Sequence, residues 1–105
     1  MSDISVQDLE QWRRSGRDFV LLDVREDDEV RAASLSGALH IPMREVPSRA
    51  GELNPESEIA VICHYGGRSE RVAGFLRSRG FTRVYNVEGG IDEYALAVDP
   101  SIPRY

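Results

Sequence analysis

The chain reads as a parallel α/β domain, and three observations support that reading. Short apolar runs at residues 19–22, Ile59–Ile62 and Val84–Val87 have the length of strands and lack the polar alternation of a sheet with one wet face. Segments of helical periodicity stand between them along the whole chain. The stretch from 58 to 80 then joins a strand, a glycine-bearing turn and a helix, the usual anion cradle of parallel sheets. Such alternation implies right-handed crossovers and one sheet covered by helices on both faces.

At 105 residues the chain is expected to form one domain over 1–105, large enough for a single core. Apolar content of 41% with 30% charged residues is ordinary for a globular protein. No apolar run approaches the ~20 residues of a membrane span, and the polar, acidic start has no secretory character. A net charge of −5 without a basic stripe argues against nucleic acid. All 13 cations are arginine, which removes Schiff-base lysines and the P-loop lysine from consideration. One cysteine excludes an internal disulfide and a multi-cysteine metal site, and a free thiol suits a reducing cytoplasm. No cofactor is called for.

Taken in order, residues 4–16 form a first helix. Ser5 is its N-cap with Asp8 as a partial capping box, Val6, Leu9 and Trp12 share one face, and Gly16 is the stop. Trp12 at this spacing belongs to the core. The run 19–22 is a central strand ending in Asp23-Val24-Arg25, at the carboxyl edge where open α/β sheets place their sites. Asp23 and Arg25 are thus candidate supporting residues, although Asp23 also suits a simple turn or helix cap. A helix over 26–32 follows, with Arg25–Glu29 and Asp27–Arg31 as i,i+4 pairs worth a few tenths of a kcal/mol each. Its acidic run, residues 26–29, reads as a solvated face rather than a metal site.

Ser36-Gly37 turns the chain into a short strand over 39–41, stopped by Pro42. His40 has no partner at ligand spacing and reads as structural. A helical segment over 44–53 tolerates Pro47 only in its first turn, and Asn54-Pro55 leads into the strand Ile59–Ile62. Beyond the 63–80 segment come the strand Val84–Val87, a Glu88-Gly89-Gly90 turn and a last helix over 91–97. The tail 98–105 holds two prolines and is expected to lie extended.

The chemistry concentrates at Cys63-His64-Tyr65-Gly66-Gly67-Arg68. The glycines free the backbone to curl with its N–H groups inward. The helix starting at Arg68 buries Val72, Ala73 and Leu76 and stops at Gly80. A thiol at position 63 therefore meets inward N–H groups, the positive end of a helix dipole and the Arg68 guanidinium, all of which favour thiolate. Three substrates suit a nucleophile so placed: a phosphoryl group, arsenate, or sulfur carried as a persulfide. Four residues separate Cys63 from Arg68. A tetrahedral oxyanion needs a wider ring of donors than one extra sulfur atom, so the short loop favours sulfur. A merely buried, inert thiol sits poorly beside two glycines and an arginine.

Four segments resemble the single-domain rhodaneses, a sulfurtransferase family: LLDVRE at 21–26, SGALHIP at 36–42, VICHYGGRS at 61–69 and GFTRVYNVEGGID at 80–92. The resemblance implies a five-stranded parallel sheet with a short first strand near Ile4 and strand order 1-5-4-2-3. It implies that Cys63 takes sulfane sulfur from thiosulfate or a protein persulfide and passes it to a thiophilic acceptor, a thiol or a sulfur-carrier protein. By the same resemblance Arg68 closes the loop, the N–H groups of His64, Tyr65, Gly66, Gly67 and Arg68 hold the persulfide, and Ser69 lies close behind. Related phosphatases on this fold have loops one residue longer. Ser34 and Tyr94 depart from the family's usual histidine and tryptophan. The tail resembles those of rhodanese domains fused to adenylating enzymes. Alternatives to an enzyme of this kind are a persulfide carrier or redox-sensing partner with little turnover alone, and a small cysteine phosphatase or arsenate reductase.

Overall fold

The computed structural model describes residues 3–105, so residues 1 and 2 of the expected domain lie outside the described chain. Strands β1 (Asp3–Ile4), β2 (Val20–Asp23), β3 (Leu39–His40), β4 (Ile59–Ile62) and β5 (Val84–Val87) form one sheet in the order β1-β5-β4-β2-β3. Every pairing is parallel. The helices are α1 (Val6–Arg14), α2 (Asp27–Ala32), α3 (Val46–Arg49), α4 (Gly67–Ser78) and α5 (Gly90–Ala97).

β4 occupies the middle of the sheet because its sequence permits nothing else. Ile59, Ala60, Val61 and Ile62 are all buried, and successive side chains point to opposite faces. Ala60 and Ile62 enter a core with Leu9, Leu21, Val87, Ile91 and Tyr94 under α1 and α5. Ile59, Val61 and Cys63 enter a second core with Val46, Val72, Ala73 and Leu76 under α3 and α4. The apolar face expected for the helix after the cysteine is therefore the face that packs.

α1 begins as its sequence indicates: Ser5 Oγ accepts from Asp8 N at 3.0 Å, and Asp8 Oδ2 accepts from Ser5 N at 3.2 Å. Ile4 belongs to β1, paired with Val87, rather than to the helix. Trp12 packs edge-on against Phe19 and Tyr85, with Arg17 over its ring. Tyr94 is buried between α1 and α5, where its hydroxyl donates to Glu10 and accepts from Arg13. Ser34 borders an open surface cavity beside Arg13 and Asp99.

Four expectations need correction. The segment 44–53 is not one helix but a 3-10 turn at Met43–Glu45, the single α turn α3, and a second 3-10 turn at Ala50–Glu52. Its Pro47 stands near the start of α3, where the missing N–H costs little. The Arg25–Glu29 ion pair does not form. Arg25 precedes α2 and turns inward to Asp23, donating to the backbone carbonyl of Glu29 at 3.2 Å instead. Asp27 faces His40, 3.9 Å away, rather than Arg31. Finally, the tail folds back on the domain: Asp99 Oδ1 accepts from Ser101 N at 3.1 Å and from Ser101 Oγ at 2.6 Å, and Ile102 is buried.

Candidate active site

The chain leaves β4 at Cys63, on the carboxyl edge of the sheet, and re-enters regular structure at Gly67, the first residue of α4. Gly66 is the helix cap, with φ of 112°. That left-handed conformation suits glycine alone at low cost. Gly67 shows no positive φ, so only one of the two glycines bends the loop.

Cys63 is 1% exposed. Its Sγ accepts from Gly66 N at 3.0 Å and from Ser69 N at 3.3 Å, and lies 3.3 Å from Ser69 Oγ. Ser69 is fully buried and has one hydroxyl proton, which it directs to Asn86 Oδ1 at 2.5 Å, with Gly66 O also within 3.2 Å. Asn86 is a buried amide inside the otherwise apolar β5. A lone asparagine in such a strand is the signal that could have found it.

The loop is fixed from behind by α5. Ile91 N donates to Cys63 O at 2.9 Å and Asp92 N donates to His64 O at 3.1 Å. With these two carbonyls held by the first turn of α5, the peptide planes that follow can turn their N–H groups toward the sulfur.

Arg68 stands at the mouth, but its charge is matched. Its two terminal nitrogens donate to Glu29 Oε1 at 2.6 Å and Oε2 at 2.8 Å. The Arg68 hydrogen bonds pull the Glu29 carboxyl down to about 2, against the opposing effect of burial. The same pair raises the Arg68 guanidinium above its ordinary value. Glu29 thus faces the site, and the acidic run is not wholly a solvated face.

Asp23 and Arg25 do not reach the sulfur. They form a buried ion pair, 2% and 0% exposed, with Arg25 Nε 2.9 Å from Asp23 Oδ1 and Nη2 2.7 Å from Oδ2. Arg25 also donates to Ala33 O at 2.7 Å and to Tyr105 Oη at 3.0 Å. Asp23 Oδ1 accepts from Arg25 N at 3.1 Å, the turn-capping role open to it from sequence. His40 Nε2 donates to Arg25 O at 2.6 Å, a structural contact as expected. Asp23 and Arg25 therefore brace α2 and the tail, and through them Glu29.

A cavity of about 280 Å³ lies over the thiol, lined by Cys63, His64, Tyr65, Gly67, Arg68 and Arg71. Tyr65 is 65% exposed at its rim. Among the described residues there is no cluster of histidine, cysteine and carboxylate side chains able to hold a metal. Nor, among the described residues, is any helix long and apolar enough to cross a membrane.

A buried thiol cradled by backbone N–H groups, between the central strand of a parallel sheet and a helix N-terminus, defines a cysteine-loop α/β domain. Residues 5–97 match the family model of the rhodanese-like domain, and the chain belongs to that family. It is 49% identical over 89 residues to Rhodanese-like/PpiC domain-containing protein 12, chloroplastic, of Arabidopsis thaliana, covering 81% of this chain and 30% of that protein. It is 41% identical over 92 residues to the putative sulfur carrier protein YrkF of Bacillus subtilis, covering 88% of this chain and 50% of that protein. The human single-domain sulfurtransferase TSTD1 superposes with a TM-score of 0.83 at 28% identity, covering 92% of this chain and 97% of that one. The chain spans half or less of the length of the first curated relatives it matches. Among the proteins it matches are one named a putative sulfur carrier and others named sulfurtransferases.

Proposed function

We propose that residues 1–105 act as one domain that moves sulfane sulfur through a persulfide on Cys63. The observation behind this reading is the sulfur cradle itself: Gly66 N and Ser69 N donate to Sγ inside a loop with four residues between Cys63 and Arg68. In the first half-reaction the Cys63 thiolate attacks the outer sulfur of thiosulfate. A sulfur–sulfur bond forms at Sγ, the bond to the sulfonate sulfur breaks, and its electron pair leaves with sulfite. In the second, an acceptor thiolate attacks the terminal sulfur, carries it away as a persulfide and restores the Cys63 thiolate. His64, Tyr65, Gly66, Gly67, Arg68 and Ser69 shape the pocket for the added sulfur, while Asp23 and Arg25 support it from behind. The short loop favours sulfur over phosphate or arsenate, which call for a wider ring. A free thiol of this kind suits a reducing compartment such as the cytoplasm.

Treatment with thiosulfate should add one sulfur to the Cys63 peptide and none elsewhere, read by mass spectrometry. Cys63→Ala should stay folded and lose all transfer to cyanide. Activity retained in that variant would overturn the proposal.

One observation favours a second reading, in which the domain carries sulfur for a protein partner with little turnover of its own. Cys63 is almost inaccessible, and one relative bears the name of a putative sulfur carrier. A persulfide that forms once but turns over slowly with cyanide would select this reading.

A further inference from the structure

The end of the chain lies over the candidate site. After the Asp99 turn, Arg104 Nε pairs with Asp92 Oδ1 at 3.0 Å on α5. Tyr105 then stacks on His64 with ring centroids 4.0 Å apart and 12° between planes. Tyr65 stacks on the same imidazole at 3.9 Å and 22°. Two rings at that spacing cannot share one face, so His64 is sandwiched between them. The Tyr105 hydroxyl donates to Glu29 Oε2 at 3.0 Å and accepts from Arg25 Nη1 at 3.0 Å. His64 Nε2 is buried and has no hydrogen-bond partner. His64 lines the cavity over Cys63, and no bond through Nε2 anchors its imidazole.

We propose that Tyr105 is a positioning residue that braces His64 as a wall of the Cys63 cavity and so limits the size of the reactant that reaches the thiol. The inference rests on Cys63 as the reacting thiol, as proposed above. The ring is held by stacking on both faces. Removal of Tyr105 uncovers one face of the imidazole, and so favours a ring swung away from the thiol. On this reading small reactants pass between the other lining residues Tyr65, Arg68 and Arg71, while large ones need the wall to move.

The test uses the full chain as wild type, Tyr105→Ala, Tyr105→Phe and His64→Ala. Cys63 is alkylated with iodoacetamide and, separately, with a maleimide carrying a polyethylene glycol chain, well below the melting temperature of each protein. Tyr105→Ala should speed the bulky reagent about threefold or more over the small one, the scale of one lost aromatic stack. Tyr105→Phe keeps the ring and should behave as wild type. His64→Ala removes the wall itself and should match Tyr105→Ala. Equal acceleration of both reagents, or none in the folded alanine variant, overturns the proposal. Should Tyr105→Ala not fold, His64→Ala decides: a bulky-reagent rate equal to wild type means that His64 is no wall. Alkylation reads the thiol directly, so a protein that shows the size split yet accepts no sulfur from thiosulfate keeps the brace and loses the sulfur-transfer reading.

Discussion

Gly90 sits so close to His64 that a Cβ on it would lie 2.4 Å from the His64 carbonyl oxygen, and 2.5 Å from that of Cys63. The two carbonyls are the ones held by the first turn of α5, so the absent side chain is what lets helix and loop meet. Gly90 also has φ of 63°, where an L side chain is strained.

Gly90→Ala should therefore cost at least about 2 kcal/mol, from the left-handed backbone together with overpacking. The neighbouring atoms are backbone and cannot swing aside. Chemical denaturation would give the stability, and amide exchange at residues 63–69 should speed more than exchange in β2. A variant as stable as wild type would mean that α5 is free to shift.

Ser69 and Asn86 form a relay onto the sulfur that can be taken apart. Ser69→Ala removes the hydroxyl that can swing its proton from Asn86 to the sulfur once the thiolate forms, and a hydrogen bond to a charged group is worth roughly 1.5–3 kcal/mol. Transfer should fall at least about tenfold while the backbone donor Ser69 N remains. Asn86→Ala leaves the Ser69 hydroxyl without its closest acceptor and should lower both stability and transfer. In the double variant the losses should be less than additive, because both changes act on one hydroxyl. Full additivity would show that Asn86 serves only the packing of β5.

How far this site could be read in advance depended on whether each partner was local in sequence. Cys63, Gly66 and Ser69 lie within seven consecutive residues, where strand, turn and helix signals overlap, and the structure brings them together. The fully apolar run of β4 likewise marks a buried strand, and all four of its residues are buried. Glu29 was misplaced because the helical spacing that suggested an Arg25 partner says nothing about Arg68, 39 positions away. Tyr105 bore no local signal at all, since its contacts to His64 and Glu29 exist only once the tail has folded back. The short 3-10 turns around α3 have no signature of their own, because one apolar periodicity fits both helix types over so few residues.

Glu29 gives a pH signature. Its carboxyl is pulled from an ordinary 4.5 to about 2 in the folded protein, chiefly by the hydrogen bonds from Arg68. A depressed folded value contributes stability that is fully present above about 4.5 and is lost as pH falls toward about 2. Wild-type stability should thus decline across that window, and Glu29→Gln should flatten part of the decline while lowering stability at pH 7. Melting temperatures at half-unit steps between pH 7 and pH 2 would show this. Identical slopes in the two proteins would mean that the Arg68–Glu29 pair does not couple to folding.

The two arginines at the mouth should separate by what their loss does. Arg68 is bound on both terminal nitrogens by Glu29, so Arg68→Gln leaves a carboxylate with less compensation and should cost about 1.5–3 kcal/mol of stability. Arg71 also lines the cavity, and among the described residues it enters no ion pair. Its charge is the one available to an anionic donor without first breaking a bond. Arg71→Gln should leave the melting temperature unchanged and raise the KM for thiosulfate roughly two- to fivefold, the scale of an exposed ion pair of up to ~1 kcal/mol. The effect should shrink as salt is raised, because the guanidinium is exposed and its attraction is screened within about 10 Å at 0.1 M ionic strength. Steady-state kinetics at low and high salt, set beside thermal melts of both variants, would make the comparison. A KM unmoved in Arg71→Gln but raised in Arg68→Gln would show that the donor displaces Glu29 from Arg68 after all, and that the pair opens on binding.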